Sequence, residues 1–256
     1  MKEVPVLLSG GHKVGVVIYG DESLRDPILY FHGFPGSSLE ASLADNFART
    51  RGISLIGIER PGYNGSTAIK GMTLQGWATL VGSILDTLGI AKAGIIALSG
   101  GCPHAMACSR YIPERLTKVV VVSGISEAVD SNLLNGMIGP NRTLILLGQK
   151  VPWLGETMVS LMAFWWWLRP HDMIRWFRLF LKNGDIDILS RKSVAGLLED
   201  NLRRAFKHGI SGVRDDFKRI VSPWGFSLAW GLGRLDSWCV PPPFGPRSEP
   251  QSRLMH

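Results

Sequence analysis

Ile96-Ala97-Leu98-Ser99-Gly100-Gly101-Cys102-Pro103-His104-Ala105 is the stretch whose reading decides the fold. It leaves a short apolar run, Gly94 to Leu98, suited to a buried strand. It enters Pro103 to Tyr111, whose spacing is helical. Between them stands the pattern small-x-Ser-x-Gly. A sharp strand-to-helix turn of that kind lifts a serine hydroxyl clear of the sheet, the arrangement called a nucleophile elbow. Small residues at 97 and 101 suit a turn that brings neighbouring backbone close. The helix start behind the serine aims amide dipoles at any anion that develops there. Ala97 occupies a position where the strict motif has glycine. On its own, a Gly-Gly pair after a strand also suits an ordinary strand-helix turn.

Two further motifs sit in the same kind of context upstream. Tyr30-Phe31-His32-Gly33-Phe34-Pro35-Gly36 follows the apolar run Pro27 to Phe31. Glu59-Arg60-Pro61-Gly62-Tyr63-Asn64-Gly65-Ser66 follows the β-rich run Ile53 to Ile58. Acyl transfer needs two backbone amides aimed at a tetrahedral oxyanion. Gly100, next after the serine, is placed to supply one, and Phe34 is placed to supply the other. His32 reads as a loop-holding histidine ahead of a catalytic base. The Arg60-Pro61-Gly62-Tyr63 loop suits a structural turn and a substrate wall equally well.

Farther out, apolar runs alternate with helical patterns throughout the first half, which predicts a mostly parallel sheet flanked by helices. Val4 to Leu8 and Lys13 to Tyr19 read as a hairpin around Gly10-Gly11. Leu39 to Arg51 and Leu74 to Leu88 read as helices. Val119-Val120-Val121-Val122 has the composition of a strand buried on both faces. From about Ala128 to Ile220 the signals are helical, over Gly155 to Leu168, Met173 to Leu181, Lys192 to Lys207 and Val213 to Ile220. From about Trp230 the chain turns Gly-, Pro- and Ser-rich.

Composition limits the function classes. Of the 256 residues 45% are hydrophobic and 19% charged, which fits a folded domain and not a disordered one. The net charge of +7 resides largely between Arg169 and Arg219, among apolar residues at helical spacing. A solvated helix face explains it better than a nucleic-acid partner, since no zinc-ligand spacing or RNA-binding aromatic signature accompanies it. Three cysteines, Cys102, Cys108 and Cys239, make no disulfide framework, and no signal peptide is recognised. The expected setting is the reducing cytoplasm. The most apolar window, Val151 to Leu168 with Trp165-Trp166-Trp167, is marginal in length for a membrane span and is interrupted by Glu156. It reads as a buried or interface-lying helix, with peripheral membrane contact ranking second.

The three motifs in this order, H-G-F-P, then R-P-G-Y, then S-G-G-x-P, resemble the α/β-hydrolase superfamily, in particular its cap-bearing serine hydrolases. Pro223-Trp224-Gly225-Phe226 adds to the resemblance, which covers roughly the first 225 residues. It implies an α/β-hydrolase core over 1–127, a helical cap over 128–222 and an atypical tail over 223–256. It also implies Ser99 as nucleophile, Phe34 and Gly100 as oxyanion hole, an apolar acyl substrate, and no metal or organic cofactor. Serine at the elbow argues against the aspartate-based dehalogenase and epoxide hydrolase chemistries. The family order is serine, acid, histidine. Past Phe226 its last strands are not recognised. The acid candidates are Asp236 and, after the valine run, Asp130. His256 alone follows Asp236; His12 precedes the core, while His104, His171 and His208 read as helix or cap residues. The rival expectation is a non-catalytic member of the fold that binds a ligand.

Overall fold

The computed structural model describes residues 1–125, 127, 137, 139–169, 171–172, 175–176, 179, 187 and 189–227. Six strands form the main sheet in the order β1-β4-β6-β5-β7-β8: β1 Lys2–Glu3, β4 Val16–Gly20, β5 Ile28–Phe31, β6 Ser54–Ile58, β7 Ala93–Leu98 and β8 Leu116–Val122. β6, β5, β7 and β8 run parallel, and β4 joins β6 antiparallel. The expected hairpin at the start is split. β2 Val6–Leu7 and β3 Lys13–Val14 pair as a separate ribbon, while β4 leaves it for the sheet.

Strand alternation builds the layers. Along β5, Leu29 and Phe31 enter one apolar cluster and Ile28 and Tyr30 pack on another. β6 divides the same way, Ile56 and Ile58 against Leu55. Successive side chains of a strand point to opposite faces, so the two clusters lie on opposite sides of the sheet. The larger one is covered by α2 (Leu74–Thr87) and α3 (Cys102–Tyr111). α2 buries Leu74, Trp77, Ala78, Val81, Ile84 and Leu85, an i, i+3, i+4, i+7 stripe, and the Thr73 side chain caps it by accepting from Gly76 N. The opposite face is covered by a 3₁₀ segment, Ser38–Ala44, that runs into α1 (Asp45–Thr50). Sequence periodicity reads these two as one helix.

The valine strand differs from expectation. In β8 Val119 is buried, Val120 to Val122 are half-buried, and Thr117 and Lys118 are exposed. Among the described residues its one strand neighbour is β7, so it stands at the sheet edge.

After β8 come α4 (Gly139–Lys150), α5 (Pro152–Leu168), α6 (Lys192–Ala205) and α7 (Ser211–Val221). The spacing of apolar residues anticipates the last three. α4 is absent from the sequence reading, and Gly148 near its end helps explain why, since glycine disfavours a helix interior. Packing requires that glycine. A Cβ at Gly148 would lie 2.8 Å from Phe217 Cζ, and a Cβ at Gly155 would lie 2.5 Å from Gly148 Cα. α4 and α5 therefore cross backbone against backbone. The helix candidate Met173 to Leu181 falls for the most part outside the described residues, as do Asp130 and the tail from 228 with Cys239, Asp236 and His256. No helix among the described residues is long and apolar enough to cross a membrane.

Candidate active site

The three motifs end up side by side. They follow β6, β5 and β7, which are adjacent and parallel, so all three loops leave the same carboxyl edge of the sheet. That edge is where open α/β sheets bind ligands.

The elbow forms as strand, corner and helix. β7 ends at Leu98, Ser99–Gly101 makes one 3₁₀ turn, and α3 starts at Cys102 with Pro103 in its first turn. Ser99 has φ +46°, the left-handed region that a residue with a Cβ rarely occupies. Such backbone costs on the order of 1–3 kcal/mol and persists where surrounding structure over-determines it. Here the two glycines supply that surrounding. A Cβ at Gly101 would overlap the carbonyl oxygen of Phe31, and one at Gly100 would overlap Phe34 Cβ and lie 3.1 Å from Phe34 N. The Phe31–Phe34 backbone thus lies directly on the corner. Ser99 itself is half-buried.

Residues 32–37 are fastened from three directions. Arg60 Nη1 donates to His32 O at 2.6 Å and Nη2 to Gly33 O at 2.8 Å. Glu40 Oε2 accepts from Gly33 N at 2.8 Å. Asn201 Oδ1, on α6, accepts from Ser37 N at 2.8 Å and from Ser37 Oγ at 2.7 Å, while its Nδ2 donates to Glu40 Oε1 at 3.0 Å. Burial raises the Glu40 carboxyl above its ordinary value despite these donors.

Arg60 is in turn held by α7. Its Nη2 lies 2.8 Å from Asp216 Oδ2, and Nε donates to the same oxygen at 2.9 Å. Tyr63 Oη donates to Asp216 Oδ2 at 3.0 Å, and Arg219 Nη1 to Oδ1 at 3.0 Å. His104 Nε2 is 3.3 Å from Oδ1, an electrostatic contact without hydrogen-bond alignment. Arg60, Tyr63, His104 and Asp216 are fully buried. Burial opposes the charge on Asp216, but Arg60, His104 and Arg219 outweigh it and hold the carboxyl well below the usual range. Burial lowers His104 to about 4, against the pull of Asp216. The turn after β6 meets α7 with no side chain between them: Gly62 has φ +85°, and a Cβ there would lie 2.7 Å from Gly212 Cα. Arg60-Pro61-Gly62-Tyr63 is therefore a structural turn in its contacts. Arg219, counted in the sequence with a solvated basic face, is buried and also donates to Met72 O at 3.0 Å.

The histidines fall as follows. His32 is buried, with Nδ1 3.0 Å from Gly33 O and Nε2 accepting from Arg60 N at 3.5 Å. Burial, aided by the Arg60 charge, holds it well below its ordinary value, so the ring is neutral. His104 turns Nδ1 to Gly100 O at 3.2 Å. His171 pairs with Asp172 at 3.1 Å and His208 is exposed. Among the described residues no imidazole is hydrogen-bonded to the Ser99 hydroxyl. Cys102 and Cys108 are buried free thiols, and burial pushes Cys102 up to about 12.

Sequence reasoning did not single out Glu40, Asn201 or Asp216. A signal for two of them exists. Val213, Asp216, Phe217 and Ile220 occupy i, i+3, i+4, i+7, so an aspartate stands in an apolar stripe. Leu198, Asn201, Leu202 and Ala205 repeat the pattern with asparagine. A polar residue on a buried stripe needs a partner.

Apolar contacts close over the corner. Phe34 packs on two clusters: Tyr63, Ala163, Trp166, Leu202, Ala205, Phe206 and Val213 form one, and Ile145, Val159, Phe217 and Val221 the other. The Phe34 and Phe217 rings are 6.0 Å apart. Gly155, Gly148, Phe217, Phe34 and Gly100 thus make one unbroken packed row from α5 to the elbow.

The chain matches known proteins in the same terms. The family described as alpha/beta hydrolase fold matches over residues 26–166. An uncharacterized hydrolase, YcgS, of Bacillus subtilis is 27% identical over 117 residues, 44% of this chain and 39% of that protein. A 2-hydroxy-6-oxononadienedioate/2-hydroxy-6-oxononatrienedioate hydrolase of Paraburkholderia phymatum is 31% identical over 124 residues, 46% of this chain and 43% of that protein. The matched stretch is thus about two fifths of each relative's length. Among solved structures, an alpha/beta hydrolase fold protein from Nakamurella multipartita superposes with a TM-score of 0.54 at 25% identity, covering 85% of this chain and 75% of that one. An enol-lactonase from Burkholderia xenovorans gives 0.57 at 15% identity, covering 86% and 74%. With the strand order, the elbow and the family match in agreement, this chain belongs to the alpha/beta hydrolase fold family.

Proposed function

We propose that the protein is a serine hydrolase of ester or other acyl compounds, with Ser99 as its nucleophile. The observation that carries this is the left-handed backbone at Ser99, held at a strand-helix corner with Phe34 laid against Gly100. Strain of this kind concentrates where a side chain must be presented for chemistry. Two relatives named as hydrolases support the reaction class.

In this scheme the Ser99 oxygen attacks the acyl carbon and the hydroxyl proton passes to a histidine. The carbonyl π electrons move onto oxygen, which takes hydrogen bonds from the amides of Phe34 and Gly100. Collapse expels the leaving group, which takes the proton. Water then attacks the acyl-serine by the same route in reverse and frees the acid. The histidine and its acid are assigned to His256 and Asp236 on the family's chain order alone. Helices α4–α7 act as the cap, and its aromatic residues around Phe34 suit an apolar acyl group.

The test is labelling with a fluorophosphonate probe. The wild-type protein is expected to label, and Ser99→Ala to remain unlabelled with its fold intact by circular dichroism. A folded wild-type protein that takes no label would replace this reading with a ligand-binding member of the fold.

A further inference from the structure

Among the described residues, α5 carries an apolar face that is left uncovered. Its inward arc holds Gly155, Val159, Ala163 and Trp166, all buried. At about 100° per residue, Trp153, Leu161, Phe164, Trp165, Trp167 and Leu168 fall together on the opposite arc, and they are 47–69% exposed. A soluble helix normally turns polar residues to that side. Contiguous exposed apolar patches of this kind mark interaction surfaces.

The charges around the patch say what it meets. Arg169 closes the C-terminal end, its guanidinium 5.7 Å from the Trp165 ring. Arg175 shares a cavity of about 690 Å³ with Leu161, Trp165 and Leu179. Lys150 stands just ahead of the helix. All three are exposed, and among the described residues none has a carboxylate partner. Of the acids nearby, Glu156 pairs with Lys218 at 3.2 Å, and Asp172, which lines the same cavity as Arg175, lies 3.1 Å from His171. Tryptophan flanked by arginine suits the headgroup level of a bilayer, where an amphipathic ring meets both media. A second copy of the same face would set unpaired cations against unpaired cations.

We infer that the outer face of α5 is a membrane-docking surface that lies on anionic lipid, with Trp153, Phe164, Trp165 and Trp167 at headgroup depth and Arg169 and Arg175 on lipid phosphate or carboxylate. The helix lies in the interface and does not span it, in keeping with its length. The inference is independent of the chemistry at Ser99.

The experiment is sedimentation of the full chain with vesicles of phosphatidylcholine, with and without phosphatidylserine, at low and high salt, alongside tryptophan emission. Retention is expected on the phosphatidylserine vesicles, with a blue shift, and is expected to fall with salt. The combined Trp153→Ser, Trp165→Ser, Trp167→Ser variant should bind at least about tenfold more weakly, and Arg169→Gln or Arg175→Gln about fivefold more weakly at low salt. Leu43→Ser and Phe47→Ser, at exposed apolar positions elsewhere, should bind as the parent does. No retention on either vesicle overturns the inference. So does retention that the tryptophan variant leaves unchanged, or a protein that instead dimerises through this face.

Discussion

Two of the grips on the turn at residues 32–37 work by opposite means. On the elbow side the grip is the lack of a side chain: Gly100 and Gly101 let backbone rest on backbone. The other grip is a fully buried ion cluster, in which Asp216 holds Arg60 and Arg60 holds two carbonyl groups. The first contact is steric and indifferent to pH. The second is electrostatic, and its low-dielectric surroundings make it costly to break by half. One serine thus depends on a short-range geometric match and on a charge pair whose members are 156 residues apart.

Breaking the charged side should produce the largest effect. Asp216→Ala leaves Arg60 and Arg219 buried without their carboxylate, and a loss of about 3–5 kcal/mol is expected in chemical denaturation. A loss below about 1 kcal/mol would mean that the cluster is not the anchor described here.

Acid probes the same side more gently. His104 is lowered to about 4 in the folded protein, so between that value and about 6.5 the unfolded chain binds a proton that the native one refuses. Stability from this residue is full above the upper value and falls as the pH drops through the window, by on the order of 3 kcal/mol. His32 acts in the same direction. Glu40 and Glu59, raised by burial, act oppositely, losing their contribution as pH rises. Measuring denaturation against pH for wild type and His104→Gln isolates the one residue: the variant's curve should be flatter across that window.

The steric side should give the smallest energetic change and the most local one. Gly100→Ala forces Phe34 aside, and a misplacement of this scale costs about a hundredfold in rate, about 2.7 kcal/mol. The rate of probe labelling at Ser99 should drop by that factor, and the overlap should lower stability by about 1–3 kcal/mol in denaturation. Equal labelling in the two proteins would show that the Gly100–Phe34 contact does not organise the site.

The two grips also differ in how far the sequence reveals them. The elbow, the Phe34 loop and the strands β5, β6 and β7 are all local patterns, readable within about ten residues, and each forms close to where the pattern sets it. The Asp216 cluster is long-range. Asp215-Asp216 beside Arg214 and Lys218 has the look of a solvated face, and only the i+3 position of Asp216 in an apolar stripe speaks against that. Likewise α4 is faint in the sequence because Gly148 weakens its local helical signal while serving a contact with α5 and Phe217. β8 looked like a central strand from its valines alone; whether a strand has one neighbour or two is not written in its own residues.

The row Gly155, Gly148, Phe217, Phe34, Gly100 has a mechanical consequence. It contains no long flexible side chain, and close-packed contacts transmit displacement instead of absorbing it. It behaves as a strut whose outer end is the inward side of α5 and whose inner end rests on the corner beside Ser99. Pressure on that helix from outside is carried along the column to Phe34, whose Cβ and amide nitrogen rest on Gly100, the residue next to Ser99.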